Sequence, residues 1–143
     1  MMVGSRFAAL SAAAILAACA AVPPPAQTPS GDNACGIIDS SDWSAWVNAM
    51  PGPDAKPMLV VTGKVTVPTG GYTLAWRDLR IAESYPVQVF AELEALPPDQ
   101  VSTQALDTHE LRGEWPITPP VGSVTVTCDG RTLARIAPVE TAR

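Results

Sequence analysis

From Met58 onward, apolar and polar positions alternate in short runs bounded by Pro, Gly or Asp, the pattern of β-strands with one face in a core. Met58 to Val67 is apolar almost without break up to Gly63 and then alternates through Val65 and Val67. This predicts a strand buried on both faces or bulged at Gly63. Tyr72, Leu74 and Trp76 alternate with Thr73, Ala75 and Arg77, which indicates one buried face, and Leu79 and Ile81 are expected to continue that face. Pro68-Thr69-Gly70-Gly71 joins the two runs, so a hairpin is expected. In Val87 to Leu96, the residues Val87, Val89, Ala91 and Leu93 share one face, with Gln88, Glu92 and Glu94 on the other. The good helix formers in this run make a helix the competing reading, and the period of two decides for a strand. After Pro97-Pro98-Asp99, weaker strands are expected at Gln100–Leu106 and His109–Ile117, with Pro116, Pro119 and Pro120 confining any pairing there to an edge. Ser123–Cys128, Asp129-Gly130 and Arg131–Ile136 form a two-residue hairpin with the Asp-Gly pair that a type I′ turn favours. It should set Val126 opposite Leu133 and Cys128 opposite Arg131. Before these strands, Ser40-Ser41-Asp42 supplies helix-capping side chains. Trp43, Trp46, Val47 and Met50 follow at helical spacing, and Pro51-Gly52-Pro53 ends the run. Residues 34–143 are therefore expected to form one all-β, antiparallel, immunoglobulin-like β-sandwich with one short N-terminal helix, without the Cys-Trp-Cys spacing of antibody domains.

The N-terminus follows a different rule. Arg6 precedes Phe7 to Ala18, an uncharged run too short for the ~20 apolar residues that span a bilayer, which gives residues 1–18 the layout of a secretion signal. Leu16-Ala17-Ala18-Cys19 closely resembles the lipobox of bacterial lipoproteins. That resemblance implies cleavage before Cys19, acylation of Cys19 with palmitate-like chains, and a membrane partner reached through the lipid anchor. Since Ala20 stands where Asp would favour inner-membrane retention, the resemblance also implies the outer membrane, with the domain facing the periplasm. Residues 19–33 hold Pro23-Pro24-Pro25 and Pro29 and little that could fill a core. They are expected to be a lipid-anchored spacer reaching up to ~40 Å at ~3 Å per residue, with a Pro-rich ligand for a partner as the rival use.

Charge and cysteines narrow the partners. Loss of residues 1–18 removes Arg6 from the 9 basic residues set against 14 acidic ones, for a mature charge of about −6. Nucleic acid and anionic lipid, which need concentrated positive charge, are thereby disfavoured. With Cys19 assigned to lipid, Cys35 and Cys128 form an even pair in an oxidising compartment and predict a disulfide. Redox or metal roles for them lack support, because there is no Cys-x-x-Cys and His109 is the lone histidine.

The chemistry-bearing candidates are few. Pro68-Thr69-Gly70-Gly71-Tyr72 could be only a turn. A phosphate cradle is disfavoured, since no Gly-Lys-Ser/Thr follows and the next element is a strand. Strand, Pro-Thr-Gly-Gly-Tyr, strand and Val-x-Val strand, over roughly Leu59 to Val89, resemble the C-terminal domain of the treponemal protease-complex lipoprotein family. Members carry a Thr-Gly-Gly-Tyr loop and are associated with stabilising a partner protease. The loop is also distantly similar to that of chagasin-type cysteine-protease inhibitors, although their Asn is absent here. The resemblance implies a protein partner such as an envelope protease, contacted by Thr69, Gly70, Gly71 and Tyr72. For catalysis, Asp107-Thr108-His109-Glu110 could supply part of a triad, but no Gly-x-Ser-x-Gly elbow accompanies it. Glu92 and Glu94 share a solvated face. The expected function is that of a non-catalytic protein-binding lipoprotein with no catalytic residues, metal or small-molecule cofactor. A structural envelope lipoprotein or, further off, a small hydrolase are the alternatives.

Overall fold

The computed structural model describes residues 35–143; the signal, Cys19 and the spacer lie outside the described residues. Eight strands follow one another: β1 (Asp39–Asn48), β2 (Met58–Val67), β3 (Thr73–Ala82), β4 (Val87–Leu96), β5 (Asp107–Pro116), β6 (Val121–Cys128), β7 (Arg131–Ile136) and β8 (Glu140–Ala142). They form two four-stranded sheets, ordered β5-β2-β1-β8 and β3-β4-β6-β7. The architecture is a sandwich-like all-β fold whose inner faces bury alternate residues of the central strands. From β2 these are Leu59, Val61, Val65 and Val67; from β4, Val89, Ala91, Leu93 and Ala95; from β6, Val124 and Val126.

The expected helix over Trp43 to Met50 is strand β1. Its core-facing residues are Trp43, Ala45 and Val47, while Trp46 turns to the opposite face, where the Arg112 guanidinium lies 5.8 Å above its ring. Ala45 is the position that a helical count skips. A bulge also disturbs the alternation: Asp42 and Trp43 together oppose Gly63, and Asp42 takes φ 54. Tertiary pairing decides the outcome, because a helix this short has little stability alone, whereas the strand is laddered to β2 and, at its end, to β8. The bulge thus belongs to β1. β2 itself pairs with β5 without a break through Gly63.

Four further expectations are corrected. The runs flanking Pro68–Gly71 are not a hairpin, since β2 and β3 belong to different sheets and the loop carries the chain from one layer to the other. β2 is already paired on both edges, by β1 and by β5, which leaves no edge for β3. Gln100–Leu106 is a loop rather than a strand: Pro97-Pro98 ends the β4 ladder, and Ser102 bonds to Gly70 instead of joining a sheet. The sandwich is also not wholly antiparallel, because β1 pairs with β8, and β4 with β6, in parallel. At the closing hairpin Cys128 does face Arg131, but Leu133 is bulged out of register and Val126 faces Ala134. In β3 a register shift between Trp76 and Leu79 returns Leu79 to the core side.

Two apolar clusters fill the interior, one toward each end, and Trp43, Trp76 and Leu133 border both. Trp76 meets Trp43 edge-to-face with ring centroids 6.3 Å apart and Trp115 with centroids 5.3 Å apart, tying β1, β3 and β5 across the two layers. Cys35 and Cys128 are joined, linking the residues before β1 to the end of β6 across a sequence separation of 93.

Candidate functional site

The register fixes which loops share an end. Asp39 at the start of β1 pairs with Thr66 near the end of β2, Val67 pairs with Asp107, Thr73 with Leu96, and Glu92 with Thr127. The entry of the chain at Cys35, the 68–72 loop, the 97–106 loop and the Asp129-Gly130 turn therefore gather at one end of the sandwich. The opposite end holds the loops with Pro86, Pro120 and Pro138, and the C-terminus.

At the first end the 68–72 loop is braced from behind. The Ser102 hydroxyl donates to the Gly70 carbonyl. Gly71 has φ +84, and a Cβ there would stand 3.2 Å from Pro98 Cβ. Two independent requirements therefore select glycine at position 71: a left-handed backbone and close approach of a neighbouring loop. Position 70 is less demanding, as an added Cβ would meet only the Ser102 hydroxyl at 3.6 Å. Gly71→Val should accordingly lower stability by about 1 to 2 kcal/mol, while Gly70→Ala leaves the urea midpoint close to wild type. Equal losses at the two positions would contradict this geometry.

Tyr72 has a different place from its neighbours. Its ring lies directly on Gly36, where an added Cβ would come 2.3 Å from Cε1, and it packs against the cluster of Cys35, Ile37, Val67 and Cys128. The tyrosine thus couples the loop to the disulfide, while Thr69, Gly70 and Gly71 form the tip. Beside them the Arg131 guanidinium donates to the Ile37 carbonyl, holding the entering chain in place. Sequence reasoning missed the 97–106 loop as part of this end. Val101 and Leu106 on it are exposed apolar residues, as is Leu96 at the end of β4. The available signal was isolated apolar residues after a Pro-Pro break, which resembles a weak strand in the sequence alone.

The other candidates lie elsewhere. His109 Nε2 is 3.0 Å from the Asp107 carboxylate, on the inward side of β5. Glu110 points outward, where its carboxylate is 3.7 Å from Lys64 Nζ, so the tetrapeptide is divided between two faces. Ser40, Val65 and His109 occupy one row across the sheet, which puts fully buried Val65 between the serine and the imidazole, positions ~10 Å apart at normal strand spacing. Glu94 lies 3.8 Å from Arg77 on the outer face of β4. Among the described residues, no group of three His, Cys, Asp or Glu side chains is arranged to hold a metal ion.

On the outer face of β2, Lys64 Nζ is 3.1 Å from Asp42, and that hydrogen bond and charge, followed by the Glu110 charge, hold the ammonium above its ordinary pKa of 10.5. A raised folded-state pKa means that the contribution is complete below the unfolded value and disappears as pH rises through the folded one. Lys64→Met should therefore flatten a small alkaline loss of stability above pH 10.5 and leave the neutral region almost unchanged, as exposed ion pairs contribute little. A large effect at pH 7 would contradict it.

No family model matches the chain, and no similar protein was found among either curated proteins or solved structures.

Proposed function

We propose that this is an outer-membrane lipoprotein, acylated on Cys19 and facing the periplasm, whose domain is a non-catalytic protein-binding module. The order β5-β2-β1 opposite a sheet ending in β6-β7 supports an immunoglobulin-like plan, from which the β3–β4 hairpin departs by setting β4 parallel to β6. The observation that carries the binding reading is the braced tip. Gly70 is tied to Ser102, and a side chain at exposed Gly71 would crowd Pro98, so the loop is braced from behind by its neighbour. A preformed loop loses less conformational freedom on binding than a mobile one, which favours its use in recognition. Thr69, Gly70 and Gly71 are the contact residues of this reading, with Tyr72 holding them in position. An envelope protease is the partner class that the Thr-Gly-Gly-Tyr resemblance suggests.

The test is a crosslinking pull-down from the native envelope using the mature chain and a Thr69→Ala, Gly70→Val variant with an unchanged melting temperature. Capture of one discrete protein by wild type and its loss in the variant supports the module, and a protease among the captured proteins supports the partner class. Identical capture by both, or none, returns the loop to the role of a turn and leaves a tethered envelope protein without a partner at this end.

A further inference from the structure

We infer that the apolar tip of the 97–106 loop, formed by Val101 and Leu106, rests on the surface of the bilayer that anchors the chain, holding the Gly70-Gly71 loop at the level of the lipid headgroups. The inference rests on the lipid-anchor reading above and adds an orientation to it.

Three observations converge on this end of the molecule. The first is where the chain leaves it. Cys35 is fixed to Cys128 beside the Asp129-Gly130 turn, and Ile37 is held by Arg131, so the route back to Cys19 starts at the end that carries the apolar tip. Cys19 is 16 residues upstream of Cys35, a reach of at most ~50 Å at ~3 Å per residue. The tether thus keeps this end closer to the lipid on average than the end holding Tyr85 and the C-terminus.

The second is the exposure of the tip. Val101 and Leu106 are among the most exposed large apolar residues described, Leu96 is 48% exposed, and Ile38, at 53%, lies at the same end. Val101 and Leu106 project although their loop is braced: Ser102 is bonded to Gly70, and Pro98 lies against Gly71. Tyr85, Met50 and Ile81 are also exposed, but they lie toward the far end, where the tether does not bring lipid.

The third is charge. Asp99 and Asp129 flank the tip and the mature chain is acidic, which disfavours an anionic surface and selects a zwitterionic one. A few apolar side chains would bind a bilayer only weakly from solution. Here the anchor makes the contact intramolecular in effect, so a weak interaction is sufficient to orient the domain. A partner reaching Thr69-Gly70-Gly71 in this pose must itself be located at the membrane surface.

The experiment uses the full lipidated chain in phosphatidylcholine vesicles. With Cys19 acylated and Cys35 bonded to Cys128, Val101→Cys, Leu106→Cys or Tyr85→Cys supplies the single free thiol for an environment-sensitive NBD label. The expected result is a blue-shifted emission for labels at 101 and 106, quenched by a bilayer-embedded quencher, with a water-like spectrum at 85. Water-like spectra at all three positions on protein that floats with the vesicles overturn the docked tip while leaving the anchor intact. Shielding at 101 that appears only when solubilised envelope protein is added overturns it in favour of a protein cover. Failure to float, with no acyl chain on Cys19 by mass, overturns the anchor reading and the orientation together, and is distinguished from the other outcomes by that mass.

Discussion

Replacing both Cys35 and Cys128 by serine should lower the free energy of unfolding by about 4 to 5 kcal/mol, the loop-closure value for a bridge of this span and an upper estimate if the unfolded chain retains structure. The bridge joins residues 93 apart, and Cys128 lies at the end of β6, a central strand of its sheet. A loss of that size approaches the total stability of many small domains, so the variant is expected to be marginally folded at 37 °C. The effect should also have a location. Cys35, Gly36 and Ile37 are the surface on which Tyr72 rests, so releasing them should expose amides in the 68–72 loop to hydrogen exchange before those of β2 and β4. Urea unfolding of oxidised and double-serine protein, followed by hydrogen exchange, measures both effects. A loss below about 1 kcal/mol, with exchange unchanged at 68–72, would mean that the bridge neither staples the sandwich nor supports the loop.

Gly63→Ala should cost about 3 kcal/mol, far beyond a change of one methyl on an open strand. A Cβ at this position would stand 2.2 Å from Trp43 Cε3 and 2.5 Å from Cδ2 and Cζ3, because the bulge at Asp42 sets the indole directly onto the glycine. The indole has little freedom to withdraw, being edge-on to Trp76, which is in turn edge-on to Trp115. The interpretation can be checked by a double-mutant cycle. Trp43→Ala alone should cost about 3 to 5 kcal/mol from lost packing, and in that background Gly63→Ala should become nearly neutral. Additive losses would show that the glycine serves another purpose. The near-ultraviolet circular dichroism of the three indoles provides a second readout of whether the stack is displaced.

The strands were legible in proportion to how regularly they alternate. β4 shows the plain case: Val89, Ala91, Leu93 and Ala95 are buried, Gln88 is exposed, and Glu92 and Glu94 lie on the outer face. β1 was misread because Trp46 is apolar but outward and Ala45 is small but inward, so the bulky residues alone imitate a helical period. The β2–β3 connection could not be assigned from its loop, since Pro-Thr-Gly-Gly suits a hairpin and a crossing between sheets equally; which one forms depends on the faces of distant strands. β8 comprises three residues that only tertiary pairing with β1 makes a strand. Of the candidate site, the Cys35–Cys128 link was legible from residue counting once Cys19 is set aside. The bracing of Gly70 and Gly71 by Ser102 and Pro98 was not, because it joins loops roughly 30 residues apart with no pattern connecting them.

The proposed function is protein binding through the end of the sandwich at which Cys35 enters. A photoreactive residue placed at Gly70 in the full chain, produced in its own envelope, tests that claim most directly when paired with one at Lys56 in the β1–β2 loop of the opposite end. The expected result is a discrete ultraviolet-dependent adduct from position 70, abolished by Thr69→Ala or competed by unlabelled protein, and none from position 56. Equal adducts from both ends, or none from position 70 in protein shown to be folded and anchored, would contradict it.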